Sequence, residues 1–96
     1  MERKETKRID SLLDAFLKAN NLQKGYAEFR LKRSWKDLLG VTVARKTKSL
    51  HIRGRKLYVT LHSSVVRHEL EMMKGTLVSR LNDEAGMDVI DDIVLR

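Results

Sequence analysis

The stretch that decides the fold is residues 48–64, which read KSLHIRGRKLYVTLHSS. Aliphatic side chains occupy every second position in each half of it, and polar or charged side chains stand between them. Alternation with a period of two is typical of a β-strand with one buried face. Gly54 and a neighbouring arginine supply a tight turn between the halves. The stretch therefore predicts a β-hairpin with one aliphatic face and one face that carries His, Arg, Tyr and Thr.

The sequence before the hairpin predicts two helices. Apolar residues at helical spacing, with Asp10 or Ser11 available as the N-cap, indicate a first helix that ends near Ala19. A second apolar series runs from Leu22 to Gly40, where the glycine suits a left-handed C-terminal cap. The segment between Gly40 and the hairpin is ambiguous and could form a short helical turn.

The sequence after the hairpin predicts one long helix and a last strand. Ser63 and Ser64 suit the start of the helix, and Gly86 suits its end. Its apolar stripe consists of Val66, Leu70, Met73, Leu77 and Leu81. Residues 89–95 are rich in β-branched side chains and predict a strand. The expected fold class is α+β, in the order α-α-β-β-α-β, with a three-stranded sheet backed by helices on one face.

Length and composition set the outer limits. The chain has 96 residues, which predicts a flexible basic arm at residues 1–8 and a single domain at residues 9–96. Cysteine is absent, which excludes disulfides and thiolate metal sites. The polar N-terminus resembles no signal sequence, and no apolar run approaches the roughly 20 residues of a membrane span. The expected location is cytoplasmic, with no membrane partner.

Charge is distributed unevenly along the chain. Residues 1–56 carry sixteen Lys and Arg against six Asp and Glu, a net charge of +10. Residues 57–96 carry four against seven, a net charge of −3. This polarity predicts a positive surface for phosphate or an acidic partner, and a second surface of different character.

The basic hairpin and the residues leading into it are the candidate nucleic-acid site. Its predicted residues are Arg45, Lys46, Lys48, His51, Arg53, Arg55, Lys56 and Tyr58. The bases would neutralise phosphates of a single strand, although lysines on an edge strand can also serve only to prevent aggregation. Tyr58 shares a predicted face with two histidines, one of them His62, and could stack a nucleobase or simply cover the sheet.

Patterns of catalysis are missing from the sequence. His62 and His68 lie six residues apart with no HExxH motif, and neither a Ser-His-Asp set nor a phosphate-binding glycine loop is present. The sequence therefore predicts a protein that is not an enzyme and has no metal site and no cofactor.

Trp35 lies on the apolar stripe of the second helix, where a core position is expected.

An ordered set of short motifs resembles a known family. The set consists of Trp35-x4-Gly40, Ala44-x-x-Thr47, Leu57-x-Val59-x-Leu61-x-Ser63-Ser64, Glu69-Leu70, Leu81-Asn82, Gly86 and Ile90-x-Asp92-Ile93. It is similar to the DciA-like family, whose better-studied members are bacterial proteins that bind the replicative DNA helicase and help to place it on single-stranded DNA. The resemblance implies a KH-like fold. KH domains clamp the nucleic-acid backbone with a GxxG loop, and no two glycines of this chain are three apart.

Three functions stay open on the sequence. The resemblance implies an accessory factor of DNA replication that binds the replicative helicase and single-stranded DNA and assists helicase loading. Charge and the KH-like layout alone are also compatible with a stand-alone RNA- or ribosome-binding module, and a purely structural adaptor is the third alternative. The predicted partner-binding residues, on the long helix or the second helix, are Lys32, Lys36, Arg67, Glu71 and Lys74.

Overall fold

The computed structural model describes the backbone of residues 2–96 and the side chains of residues 11–96. Its helices are α1 (Glu2–Ala19), α2 (Gln23–Lys46), α3 (Ser64–Met72) and α4 (Lys74–Ala85), and its strands are β1 (Thr47–Arg53), β2 (Lys56–Leu61) and β3 (Asp92–Leu95). The strands form one sheet in the order β1-β2-β3. The predicted α+β class is confirmed, with one helix more than expected.

The predicted hairpin is confirmed in detail. Gly54 and Arg55 have φ values of 56° and 63°, and two successive positive φ angles define a type I′ turn. This turn sets the register of the antiparallel pair, in which Arg53 lies opposite Lys56 and His51 lies opposite Tyr58. The basic and aromatic side chains therefore share one face of the hairpin, as the alternation predicts.

The core lies on the other face of the sheet. Leu57 and Val59 of β2 and Ile93 of β3 are completely buried there. Helices α2 and α4 cover this face and contribute Leu31 and Leu81 to the same cluster. Strand β3 runs parallel to β2, with Leu57 opposite Ile93. Strand β2 is therefore the central strand of a mixed sheet whose second face is left uncovered by the helices.

Helix α1 starts earlier than expected. It begins at Glu2, so Asp10 and Ser11 lie inside the helix, and the prediction that one of them caps its start was wrong. The residues before Ile9 are mostly Glu, Lys and Arg, which favour helices, so the helix can extend back through them. The side chains of the predicted basic arm, residues 1–8, lie outside the described residues, and its flexibility stays a prediction.

Gly40 interrupts α2 without ending it. Its φ of 88° confirms the positive φ expected there, but its ψ of 171° is extended instead of left-handed helical. The helical hydrogen bonding resumes after the kink and ends at Lys46. The ambiguous segment after Gly40 is therefore helical, and it delivers the chain directly into β1.

The predicted long helix is two helices. Its start is confirmed, since the Ser63 side-chain oxygen accepts a hydrogen bond from the Val66 N–H at 3.2 Å. Met73 interrupts it with φ −117° and ψ 19°, so a single helix was a wrong prediction. The break allows Leu70 and Leu77 to be buried on either side of it while Met73 is exposed, although an unbroken stripe would have placed all three together.

The last strand begins at Asp92, three residues later than the prediction of 89–95. Val89 and Ile90 are buried, but their backbone groups bond to a side chain instead of a strand. The Asn82 Oδ1 accepts hydrogen bonds from the N–H groups of Val89 and Ile90 at 2.9 and 3.1 Å, and Asn82 Nδ2 donates to the Ile90 carbonyl at 2.8 Å. Since these groups are already paired, residues 89–91 need no strand neighbour.

None of the helices within residues 2–96 combines the length and the apolar character that a membrane span requires.

Trp35→Ala should lower the free energy of unfolding by about 3–5 kcal/mol. The indole is 2% exposed and sits in the core, and its N–H donates to the Thr47 hydroxyl at 3.0 Å. Phe29→Ala on the same helix is the matched control, because Phe29 is 54% exposed and its removal should cost well under 1 kcal/mol. Chemical denaturation measures both. Equal losses for the two variants would contradict the assigned core.

Asn82→Ala should lower the free energy of unfolding by about 3 kcal/mol. This value counts roughly 1 kcal/mol or more for each of the three buried backbone groups that lose their hydrogen-bond partner. Asp83→Ala, one residue further along the exposed side of α4, serves as the control and should have little effect. Hydrogen exchange provides a second readout: the amides of Val89 and Ile90 should lose protection in the Asn82 variant. Unchanged protection would show that another contact holds this segment.

Candidate nucleic-acid interface

A row of three planar side chains crosses the uncovered face of the sheet. Tyr58 on β2 stands at its centre. The His51 ring on β1 stacks against it with ring centroids 5.3 Å apart and an interplanar angle of 26°. On the other side, the Arg96 guanidinium lies 5.0 Å from the Tyr58 ring centroid. Imidazole, phenol and guanidinium planes are all groups on which nucleobases stack.

Two further cationic side chains lie next to this row. Arg53 and Lys56 face each other across the hairpin on the same side of the sheet as Tyr58. Both are exposed, and among the described side chains neither takes part in an ion pair. Together with His51 and Arg96 they border a shallow depression over the Tyr58 ring. Single-stranded nucleic acid is held by this combination of groups: unpaired cations contact its phosphates, and planar side chains stack on its nucleobases. We call this surface the sheet-face site.

Arg55 is placed differently from its neighbours in the turn. Its Nε lies 3.4 Å from Asp91 Oδ2, and its Nη1 donates to the Asp88 carbonyl at 3.1 Å. The Arg55 carbonyl in turn accepts a hydrogen bond from the Asp91 N–H at 2.9 Å. Both charged side chains are more than half exposed, so the ion pair itself contributes little to stability. The geometry directs Arg55 toward the segment before β3 and away from the sheet-face site.

Lys48 belongs to a second basic surface on the helix side of β1. In the register of the hairpin, Thr47 lies opposite Leu61 and Ser49 lies opposite Thr60, so Lys48 is the extra residue of a β-bulge. It borders a groove between α2 and β1 together with Lys32 and Lys36, which come from the exposed side of α2. The predicted nucleic-acid and partner residues therefore meet here. We call this surface the α2–β1 groove.

The remaining predicted residues lie elsewhere. Arg45 and Lys46 are exposed in the last turn of α2. Arg67 and Glu71 are on α3 and border neither basic surface, and Lys74 of α4 is 3.7 Å from Glu71 and 3.6 Å from Asp92. The charge of Lys74 is therefore neutralised by the two carboxylates next to it.

His62 does not join the sheet-face site. It follows the end of β2, and its N–H donates to the Lys46 carbonyl at 2.7 Å, while its side chain is exposed beyond the Tyr58 depression. Among the side chains of residues 11–96, no cluster of three or more His, Asp or Glu could hold a metal ion.

Arg96 is the site residue that the sequence analysis missed. It reaches Tyr58 because hydrogen bonding to β2 continues past β3: the Arg96 N–H donates to the Val59 carbonyl, and the Leu61 N–H donates to the Arg96 carbonyl. The charge of Arg96 and its position two residues after Val94 were visible in the sequence. Its neighbour was not, because alternation assigns a face but does not say which strand lies alongside.

The comparisons with known proteins identify the family. No curated protein and no solved structure matches the chain. The family model described as Dna[CI] antecedent, DciA matches residues 8–95, which is nearly the whole chain. It includes α2, the hairpin and β3, and therefore every residue of the two basic surfaces described above except Arg96. The resemblance found in the short motifs is confirmed: the chain belongs to the DciA family.

Proposed function

We propose that this protein is a non-enzymatic accessory factor of bacterial DNA replication that acts in the cytoplasm. It binds the replicative DNA helicase and single-stranded DNA, and it assists the loading of the helicase. The observation that carries the proposal is the family match over residues 8–95, since the DciA family is linked to helicase loading in DNA replication.

The sheet-face site supports the DNA-binding part of the proposal. Its three planar side chains come from β1, β2 and the residue after β3, and the neighbouring Arg53 and Lys56 form no ion pair with a described side chain and can contact phosphates. The hairpin that carries them is rigid, because its turn is a type I′ turn and its aliphatic face is anchored in the core. A single strand of DNA could bind across this face without any change in the fold.

The same site supports weak sequence selectivity. The five glycines, at positions 25, 40, 54, 75 and 86, contain no pair with GxxG spacing, so the chain lacks the backbone clamp of nucleic-acid-binding KH domains even in a KH-like fold. Stacking on planar groups and contact with phosphates both tolerate any base. A factor that places a helicase on single-stranded DNA of any sequence would use this tolerance.

Binding of single-stranded DNA should therefore be electrostatic. Wild-type affinity should fall roughly tenfold or more between about 50 and 200 mM salt. The double variant Arg53→Glu/Lys56→Glu should bind more weakly at every salt concentration. The slope of log affinity against log salt should also become shallower by about 1.4, at about 0.7 for each of two lost phosphate contacts. Fluorescence anisotropy with a labelled oligonucleotide measures both quantities.

A charge-matched variant separates position from net charge. Lys24→Glu/Arg80→Glu changes the net charge by the same amount at exposed positions on the first turn of α2 and on α4. It should keep the wild-type salt slope, with only a modest loss of affinity at low salt from the weaker overall field. If both double variants lose the same affinity and the same slope, the sheet-face site is not where DNA binds.

The helicase contact should be direct. Purified replicative helicase from the same organism should co-elute with this protein in size-exclusion chromatography after nuclease treatment of both samples. Nuclease removes complexes that are bridged by nucleic acid, and the Arg53→Glu/Lys56→Glu variant provides a second check, because it should still co-elute if the protein contact lies outside the sheet-face site. No complex at micromolar concentrations, together with tight RNA binding, would instead favour the stand-alone RNA-binding function.

A further inference from the structure

We infer that the α2–β1 groove binds an extended acidic peptide segment of a protein partner, which adds a strand to the free edge of β1. This inference goes beyond the proposed function, because it names the chemistry of the bound segment and does not depend on which protein supplies it.

The edge of β1 offers an unpaired row of backbone groups. In the sheet order β1-β2-β3, β1 has a strand neighbour on one side only. Arg53 and Lys56 flank a two-residue turn, so each donates a backbone hydrogen bond to the other. From this pair onward, hydrogen-bonded and non-hydrogen-bonded residue pairs alternate along the hairpin. It follows that Leu50 and Ile52 direct their N–H and C=O groups away from β2. Neither residue makes any other backbone hydrogen bond in the described part of the chain.

The rim of the groove is cationic. Lys32 and Lys36 lie one helical turn apart on α2 and face Lys48 on β1. Among the side chains of residues 11–96, none forms an ion pair with these three lysines and no acidic one borders the groove. Lys48 lies two residues before Leu50, so alternation places both side chains on the helix side of β1, and as the extra residue of the bulge Lys48 has no partner on β2. A bound segment would place acidic side chains next to all three lysines.

The groove suits a peptide better than a nucleic acid. Its floor is aliphatic and comes from Ala44 and Leu50, while the Trp35 indole is too deeply buried to stack a base. The free carbonyl oxygens at the edge of β1 would repel phosphates, whereas they accept hydrogen bonds from a peptide backbone. Adding a strand to a sheet edge also satisfies backbone groups that otherwise promote self-association. Charge complementarity together with a strand edge therefore selects an acidic, extended peptide.

The test uses a defined probe peptide, acetyl-GEVDVEVG-amide, at about 1 mM, a concentration at which even a millimolar complex is detected. Amide chemical shifts of the isotope-labelled protein report the site of binding. The peptide should shift the amides of residues 48–52 and of Lys32 and Lys36. The basic peptide acetyl-GKVKVKVG-amide should shift none of them. If the acidic peptide produces no localised shifts, or no more than the basic peptide, the inference is overturned.

Two modified probes test the added strand. One carries N-methyl groups on its valines and the other on its acidic residues. Because only every second residue of a strand bonds to a given neighbour, one of the two should lose binding and the other should retain it. Equal binding of both modified peptides would overturn strand addition.

Two protein variants test the assignment of the surface. Lys32→Glu/Lys36→Glu/Lys48→Glu should weaken the acidic peptide about tenfold or more, since each change replaces an attraction by a repulsion. Arg53→Glu/Lys56→Glu should keep peptide binding while it loses DNA. Circular dichroism confirms that both variants are folded. If a thymidine oligonucleotide shifts the groove amides and the acidic peptide does not, the groove is a nucleic-acid site and the inference is wrong.

Discussion

The parallel pairing of β3 with β2 is the constraint on which the rest of the structure depends. It makes β2 the central strand, so that Leu57 and Val59 can be completely buried. It also brings Arg96 alongside Tyr58, which completes the row of planar groups, and it leaves β1 as an edge with a free row of backbone groups. Asn82 prepares this pairing, because its three hydrogen bonds fix the chain immediately before β3.

The structure divides the basic half of the sequence into separate surfaces. The sequence suggests one continuous patch from Arg45 to Lys56. Strand alternation instead sends Arg53 and Lys56 to the uncovered sheet face and Lys48, two residues before Leu50, to the helix side. Arg55 leaves both groups, because Asp91 and the Asp88 carbonyl hold it at the start of β3. Net charge alone therefore overstates the size of either site, and the position of each cation decides what it can bind.

Local patterns predicted what local physics determines. The hairpin, its turn at Gly54 and the cap at Ser63 follow from alternation, backbone freedom and a side-chain oxygen close in sequence. The break at Met73 did not follow, because methionine itself does not disfavour a helix, and the break shows only in how Leu70 and Leu77 are buried on either side of it. Contacts between residues far apart in the chain were missed for the same reason.

The sheet-face site contains both kinds of residue, those that the sequence could place and those that it could not. Tyr58 and His51 could be assigned to one face from the sequence, because two short strands joined by a tight turn have only one register that buries the aliphatic residues. The position of Arg96 and the Arg55–Asp91 ion pair could not be predicted, since each depends on where β3 packs after two intervening helices. Strand order is decided by the packing of α3 and α4 across the sheet, and no alternation pattern records it.

The placement of both basic surfaces on one strand has a consequence for how they act together. The sheet-face site uses side chains on one side of β1, and the α2–β1 groove uses its edge and the opposite side. A single strand of DNA and an acidic peptide would therefore not compete for the same atoms. Because the type I′ turn and the buried aliphatic residues already hold the hairpin rigid, neither ligand has to order β1 before it binds, and the two bindings should be compatible instead of exclusive.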